Sequence, residues 1–274
     1  MKKVFEIAKQ DLRLNLRNRW ILGVSVLFGI LTLSIAYSGM VTAGYVGFQD
    51  FRRTGASIVS LVLYLVPILA LMMGTFTFVS FREYLDLVTT QPITRWKIIL
   101  GKYLGALISF LISTGAGFGV AGVIIAIRIG AAGSLRFALV VLLSFLLGAV
   151  FLSLSFLLSI LLKRRQAAVG LSVLVWFFFV IFYDLIMMAS TVFLSHRALK
   201  TSLLVGLLFN PVDMVRVTSL IVVGGESVFG AAGVVAIKLL GSMGTLMGLS
   251  LVMVVLWVAI PLLIAIKIFE KQNL

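Results

Sequence analysis

Long apolar stretches alternate with short charged segments along the chain. The apolar stretches predict six membrane spans, which lie at residues 20–38, 57–80, 101–127, 135–162, 167–194 and 246–269. Crossing roughly 30 Å of hydrocarbon takes about 20 helical residues, and each stretch is close to that length or longer. Pro67 lies inside the second stretch, where it predicts a kink. The pattern therefore predicts an all-α polytopic membrane protein with six transmembrane helices.

Residues 1–19 carry a different pattern, which is typical of an amphipathic helix. Apolar residues recur every four positions, at Val4, Ala8, Leu12 and Leu16, and a basic stripe runs parallel to them, at Lys9, Arg13 and Arg17. We expect this helix to lie on the cytoplasmic membrane surface, ahead of a six-span domain formed by residues 20–274. A solvated leader helix is the alternative. A cleaved signal peptide is not expected, because the leader contains Glu6 and Asp11.

The segment between the fifth and sixth spans, residues 195–245, is the longest outer excursion that the pattern predicts. It contains two apolar pieces, 203–209 and 228–240, which are separated by Asn210-Pro211 and Gly224-Gly225. The first piece is too short to cross a membrane, and the second is rich in small residues. We predict short helices on or just inside the outer surface. An extra membrane hairpin, which would give eight spans, is the alternative.

A polar island at residues 81–102 separates the second and third spans. Arg82 and Glu83 end the second span, and Pro92 suits the first turn of a short helix. Trp96 and Lys97 are typical of an anchor that returns the chain to the interface. About twenty residues exceed what a simple interhelical connection needs. We therefore predict that the island is a surface lever rather than an ordinary loop.

Composition and charge fit this picture and orient the chain. The sequence is 62% hydrophobic and 12% charged, with a mean hydropathy of +1.21, which excludes a water-soluble globule. Fifteen of the 23 Lys and Arg residues lie in the leader, the island, residues 163–165 and the carboxy-terminal tail. The positive-inside rule then places both termini in the cytoplasm. A bacterial inner membrane is the expected location, and the net charge of +14 does not require nucleic acid.

Several kinds of chemistry are excluded by the residue inventory. The chain has no cysteine and one histidine, so thiolate and multi-histidine metal sites are not expected. Gly117, Gly119 and Gly122 match a dinucleotide fingerprint as text, but they lie inside a predicted apolar helix, where we expect them to permit close helix packing instead. No phosphate-binding loop of the Walker type occurs. The ten methionines are scattered, and no protease motif is present. We therefore expect no catalytic residue, metal or cofactor in this chain.

Asp184 is the one acidic residue well inside a predicted span. A carboxylate at that depth is costly, so it needs a cavity, a partner or a proton. Two interpretations stand side by side: a residue of a gate or transport path, and a hydrogen bond to a neighbouring helix near Tyr183.

Three motifs resemble those of a known family. Gln91-Pro92-x-x-Arg95 followed by Gly101-Lys102 is similar to the first cytoplasmic loop of exporter-class ABC transporter permeases. The segments 16–20, LRNRW, and 209–216, FNPVDMVR, narrow the resemblance to permease subunits that serve nitrous oxide reductase maturation. Many relatives have Gly-Thr before the Leu-acid pair that opens this loop, and here Glu83-Tyr84 stand there instead.

The resemblance implies a homodimer of permeases with two ATPase subunits on the cytoplasmic face, where ATP and magnesium bind. It also implies a periplasmic β-helical accessory protein that handles copper for the copper site of nitrous oxide reductase. Two roles stay open: export of a species, for which a sulfur compound is a candidate, or transmission of motion to the accessory protein. The predicted ATPase-coupling residues are Pro92, Ile93, Thr94 and Arg95, within the coupling segment 82–97. The predicted outer docking residues are Asn210, Pro211, Asp213 and Arg216.

Two other functions stay open from the sequence. One is an ABC exporter permease for a lipid or drug. The other is an ion-coupled secondary carrier that uses Asp184 and needs no ATPase.

Overall fold

The computed structural model describes residues 2–18, 23, 26–35, 37, 50–82, 94–129, 131–162, 164–224 and 241–272. Secondary structure within these ranges is helical. The helices are α1 (Lys2–Leu16), α2 (Val26–Ile35), α3 (Asp50–Arg82), α4 (Arg95–Ile129), α5 (Ala131–Leu161), α6 (Arg165–Phe177), α7 (Tyr183–Phe193), α8 (His196–Phe209), α9 (Pro211–Gly224) and α10 (Met243–Lys271). A π-helical turn, Phe178–Phe182, joins α6 to α7.

Five segments of the described chain are long and apolar enough to cross a membrane, and they confirm the second to sixth predicted spans. They are Gly55–Phe78, Arg95–Val123, Gly133–Leu161, Arg165–Phe193 and Gly244–Lys271. Of the first predicted span, the structure describes mainly the apolar helix α2. The multi-pass all-α class is therefore confirmed.

The core lies where α3, α4, α5 and α10 meet. Phe78 packs edge-on against Phe156 and Phe269, with ring centroids 5.7 and 6.2 Å apart, and Tyr103 packs on Phe156 at 5.8 Å. Edge-to-face pairs of this kind stabilise a core beyond the area that they bury. These four rings lie at the ends of their helices that are closest to α1, which we call the α1 side. The opposite surface of the bundle is the far side.

Small residues let the helices approach closely, as the sequence predicted. A Cβ added at Gly117 of α4 would stand 3.0 Å from Gly29 Cα of α2, so the two backbones are in contact there. The G-x-G-x-x-G match at 117–122 therefore lies within a membrane helix, and the packing interpretation is confirmed. Gly119, in contrast, faces open space.

The fifth span differs from the others in its packing. Only 11% of its residues are buried against the rest of the described chain, compared with 56% in the fourth span. Two contacts hold its α1-side half to α3: Trp176 Nε1 donates to Tyr64 O at 2.9 Å, and Ser172 and Thr75 share a hydrogen bond of 2.9 Å. The π turn follows within this span, and such turns occur frequently at functional sites.

The segment after the fifth span re-enters the bundle. α8 begins on the far side and runs back along α7, since Tyr183 Oη donates to Gly206 O at 2.7 Å. At Asn210 the chain bends by 101°, and α9 then returns to the far side, where Val223 lies beside Gly55 near the start of α3. The tip at Asn210 reaches Phe179, near the middle of the fifth span. We call α8 and α9 the re-entrant hairpin.

This hairpin corrects the sequence prediction in one respect. The piece at 203–209 is helical as predicted, and the piece at 228–240 lies outside the described residues. The prediction missed α9, which is almost entirely buried against α3, α5 and α10. Its helix start is encoded locally: Asn210 Oδ1 accepts from Val212 N at 3.0 Å as the N-cap, and Pro211 occupies the first helical position.

Candidate functional site

The leader helix α1 docks on the start of α4 through two glycines. A Cβ at Gly101 would meet Ile7 Cβ at 2.8 Å, and a Cβ at Gly105 would meet Ala8 O at 2.7 Å. Neither glycine therefore tolerates a side chain while α1 stays in place. The buried face of α1 consists of Val4, Ala8, Asp11 and Asn15. The sequence prediction placed Leu12 and Leu16 on this face, but both are only partly buried.

A buried polar network fixes α1 to two spans. Lys102 Nζ of α4 forms an ion pair with Asp11 Oδ1, and both side chains are at most 10% exposed. Asn15 Nδ2 donates to Asp11 Oδ2 at 3.1 Å, and Thr77 Oγ1 of α3 donates to Asn15 Oδ1 at 3.2 Å. Burial raises the pKa of the Asp11 carboxyl above its usual value, while the Lys102 ammonium acts in the opposite direction. The network links α1, α3 and α4 on either side of the island.

The predicted coupling residues lie beside this network, where the structure describes them. Pro92 and Ile93 are outside the described residues, and Thr94 is exposed. Arg95 begins α4 rather than ending a separate short helix, so Trp96 and Lys97 belong to the span helix itself. The role of these two residues as an interfacial anchor stays a prediction.

Arg95 caps the last helix of the chain. Its Nη1 donates to Phe269 O at 3.3 Å, to Glu270 O at 3.1 Å and to Gln272 O. These are carbonyl groups at the end of α10, where the helix dipole favours a cation. Gln272 Nε2 in turn donates to Ile160 O at the end of α5, at 3.1 Å.

These contacts join the α1-side ends of the main helices into one unit, which we call the α1-side joint (Asp11, Asn15, Thr77, Arg95, Lys102 and Gln272). A displacement of the segment before Arg95 would reach α4 directly, and it would reach α10 and α5 through hydrogen bonds. Sequence reasoning missed the two inner partners, Asp11 and Asn15. The sequence did carry a signal for their burial, because Asp11 and Asn15 follow Val4 and Ala8 at helical spacing and so lie on the same face of α1.

A second polar cluster lies at the tip of the re-entrant hairpin. Arg216 Nη1 contacts Asp184 Oδ1 at 3.0 Å and Oδ2 at 2.9 Å, and it contacts Asp213 Oδ1 at 2.9 Å. Asn210 Nδ2 donates to Asp213 Oδ2 and to Phe179 O, both at 3.0 Å. Asp184 lies on α7, whereas Asp213 and Arg216 lie on α9. We call Asp184, Asn210, Asp213 and Arg216 the hairpin cluster.

The structure thus brings together Asp184 and three of the residues predicted to dock an outer partner. The partner of Asp184 is Arg216, while the Tyr183 hydroxyl bonds to Gly206 O. Asn210 and Pro211 are buried within the chain. Docking of a partner by these residues stays a prediction, because the contacts of their side chains described here are internal. In the part of the chain that the structure describes, no group of three or more His, Cys, Asp or Glu side chains is placed to bind a metal ion.

A bundle of apolar spans with a docked leader helix and a re-entrant hairpin defines a multi-pass helical membrane protein. Residues 5–274 match the family described as ABC-2 family transporter protein, and the chain belongs to that family. The probable ABC transporter permease protein NosY of Pseudomonas aeruginosa is 38% identical over 247 residues, 86% of each chain. The protein of the same name from Stutzerimonas stutzeri is 34% identical over 279 residues, 99% of each chain. The resemblance to ABC transporter permeases is confirmed, and the chain is a transport component.

Proposed function

We propose that this permease supports assembly of the copper site of nitrous oxide reductase, driven by ATP hydrolysis in a separate ATPase subunit. The motifs 16–20, 91–102 and 209–216 support the assignment to nitrous oxide reductase maturation, as does the similarity to two proteins named NosY. The permease either exports a species, for which a sulfur compound is the candidate, or passes motion to a periplasmic copper-handling protein.

The contacts of Arg95 support coupling to an ATPase most directly. Residues 92–95 adjoin the α1-side joint, and Arg95 itself bonds to the end of α10. An ATPase that moves this segment would therefore act on α4 and α10 together, and on α5 through Gln272. Coupling of two sites requires an element with two arrangements that both sites influence, and we assign this role to α3 and α4 with the island between them.

The complete assembly in this proposal is a homodimer of permeases in the bacterial inner membrane. Both termini lie in the cytoplasm, as the distribution of Lys and Arg favours. Two ATPase subunits bind the α1 side and hold ATP and magnesium, and a β-helical accessory protein binds the far side. Membership of the ABC-2 family favours this arrangement over an ion-coupled carrier.

Affinity purification from a native host tests the ATPase partner. A tagged copy of the chain, solubilised in mild detergent, should retain an ATP-binding subunit in equal amount. Robust transport by the isolated permease without any ATP-binding chain would contradict the proposal.

Metal analysis tests the copper role and separates it from lipid or drug export. Deleting the gene should leave nitrous oxide reductase folded but with its copper content strongly reduced, and a plasmid copy should restore the copper. Normal copper content in the deletion strain would show that the exporter serves another cargo.

A further inference from the structure

The far half of the fifth span has few anchors in the described chain. None of the residues of α7 is buried, and large apolar side chains such as Met188, Val192 and Phe193 are exposed. The two hydrogen bonds to α3 described above belong to the α1-side half. The π turn between the two halves packs on the core, since Phe179 lies edge-on against Phe151 of α5 and Trp257 of α10. Beyond it, the polar contacts that the described chain shows between α7 and other helices are those with the re-entrant hairpin. α9 in turn packs on α3, α5 and α10.

Three polar contacts connect the fifth span to the hairpin, and each uses a different part of the hairpin. Tyr183 Oη bonds to Gly206 O in α8, Asn210 Nδ2 at the tip bonds to Phe179 O in the π turn, and Arg216 in α9 pairs with Asp184. Polar and charged groups at membrane depth hold to their partners, because a group left unpaired there is costly. The three contacts therefore fix the register of the hairpin against the span.

Arg216 has the central position among these contacts. It bonds both oxygens of Asp184 on one element and one oxygen of Asp213 on the other. Removing it would leave two carboxylates facing each other at the junction. The two carboxylates would then either repel each other or share a proton, and in both cases the ionic link between the two elements would be lost.

We propose that the hairpin cluster is a mechanical joint that makes the far half of the fifth span and the re-entrant hairpin move as one unit. Arg216 is the positioning residue of this joint. The inference rests on the proposed function in one respect: the ATPase of that proposal supplies the motion that the joint transmits. Movement of the fifth span would then reach α9, and α9 would carry it to the far ends of α3 and α5.

Distance measurement between spin labels tests the joint, because the chain contains no native cysteine. The substitutions Met188→Cys on α7 and Phe209→Cys at the hairpin tip introduce the cysteines that carry the labels. Both positions are exposed. In the complex with its ATPase, assembled with an excess of unlabelled permease so that each dimer holds at most one labelled chain, the chain with native Arg216 should give one narrow distance. That distance should be the same without nucleotide and with trapped ATP. The variant Arg216→Gln should lose this narrow peak and give a broad or shifted distribution.

Two further variants separate the joint from general damage. Arg136→Gln is the matched control, because Arg136 also contacts α9, through Val223 O at 3.5 Å near its other end; it should keep the native distance. The charge exchange Asp184→Arg with Arg216→Asp should restore the narrow peak that Arg216→Gln loses. If the exchanged chain does not reach the membrane, Arg216→Lys should restore at least part of the peak.

A native distribution in Arg216→Gln in both nucleotide states would overturn the joint, and so would a native chain whose distance changes with ATP. The nucleotide-free comparison needs no ATPase, so it stands even where the proposed function fails. Failure of the joint alone would leave ATPase binding and hydrolysis by the complex unchanged.

Discussion

At the scale of single residues, three acids at contacts between the described helices each have a basic partner. Asp11 pairs with Lys102, and Asp184 and Asp213 share Arg216. Asp11 and Lys102 are buried, and an unpaired buried charge costs several kcal/mol, so each of these two becomes indispensable once the other is present. The sequence identified Asp184 as exceptional because of its depth in a span. It did not reveal its partner, since residues 184 and 216 become neighbours only through the turn at Asn210.

Replacing Asp11 by Asn should destabilise the folded chain by about 3 kcal/mol, because the buried Lys102 ammonium loses its counter-charge. Unfolding in a detergent titration measures this change. Glu6→Gln, which likewise removes the charge of an acid on α1 but at an exposed position, is the control and should have little effect. Adding Lys102→Met to Asp11→Asn should recover part of the loss; a double variant that is worse than the single one would refute the pairing as the cause.

Asn210→Ala should also be costly, because Asn210 is a helix cap and binds two further partners. The expected loss is about 2 kcal/mol or more, of which about 1 kcal/mol is the cap itself. Ser242→Ala removes the cap of α10 at an exposed position and is the comparison. Equal losses in thermal unfolding of the two variants would indicate that the contacts of Asn210 to Phe179 and Asp213 add nothing.

At the scale of helices, hydrophobic periodicity predicted the spans well and their mutual arrangement poorly. Helices α3, α4, α5 and α10 follow the predicted spans closely, because length and hydropathy alone determine that a segment stays in lipid. The buried helix α9 was missed. Its residues are apolar enough for a membrane, but 14 of them are too few to cross it alone. The sequence Asn210-Pro211-x-Asp213 is nevertheless a helix start, and a search for caps would have found it.

The docking of α1 was likewise only half predicted. An amphipathic helix next to a strongly apolar span suggests a membrane surface, and nothing local distinguishes lipid from a neighbouring helix as its partner. The glycines at 101 and 105 carry the missing information, because they make room for α1.

Gly105→Ala should displace α1 from α4, since the added methyl would overlap Ala8 O and Asp11 Cβ, each at 2.7 Å. Overpacking of this kind costs about 1–3 kcal/mol, so amide exchange in residues 2–16 should accelerate roughly tenfold or more. Gly119→Ala, on the same helix with open space around it, should leave exchange in α1 unchanged. Unchanged protection of α1 in Gly105→Ala would show that the close approach is not needed.

At the scale of the whole molecule, two polar joints lie at different depths of one bundle, one at its α1 side and one near the middle of the fifth span. The α1-side joint ties the ends of α1, α3, α4, α5 and α10 beside the island, and the hairpin cluster ties the fifth span to the re-entrant hairpin. Apolar helices between them transmit displacement because a close-packed core has little room to absorb it. A permease of the ABC-2 family needs such a path, because the proposed motor and the far surface are separated by the thickness of the membrane.

The coupling of ATP hydrolysis to the permease is the central claim, and a double variant in the island tests it most directly. In the purified complex with its ATPase, Ile93→Asp combined with Arg95→Glu should abolish the coupling of hydrolysis to transport, while the chain still inserts into the membrane. Arg13→Glu, a charge reversal at an exposed position of α1 outside the segment 82–97, is the control, and it should retain most of the coupling. Native coupling in the Ile93→Asp, Arg95→Glu double variant would contradict the account.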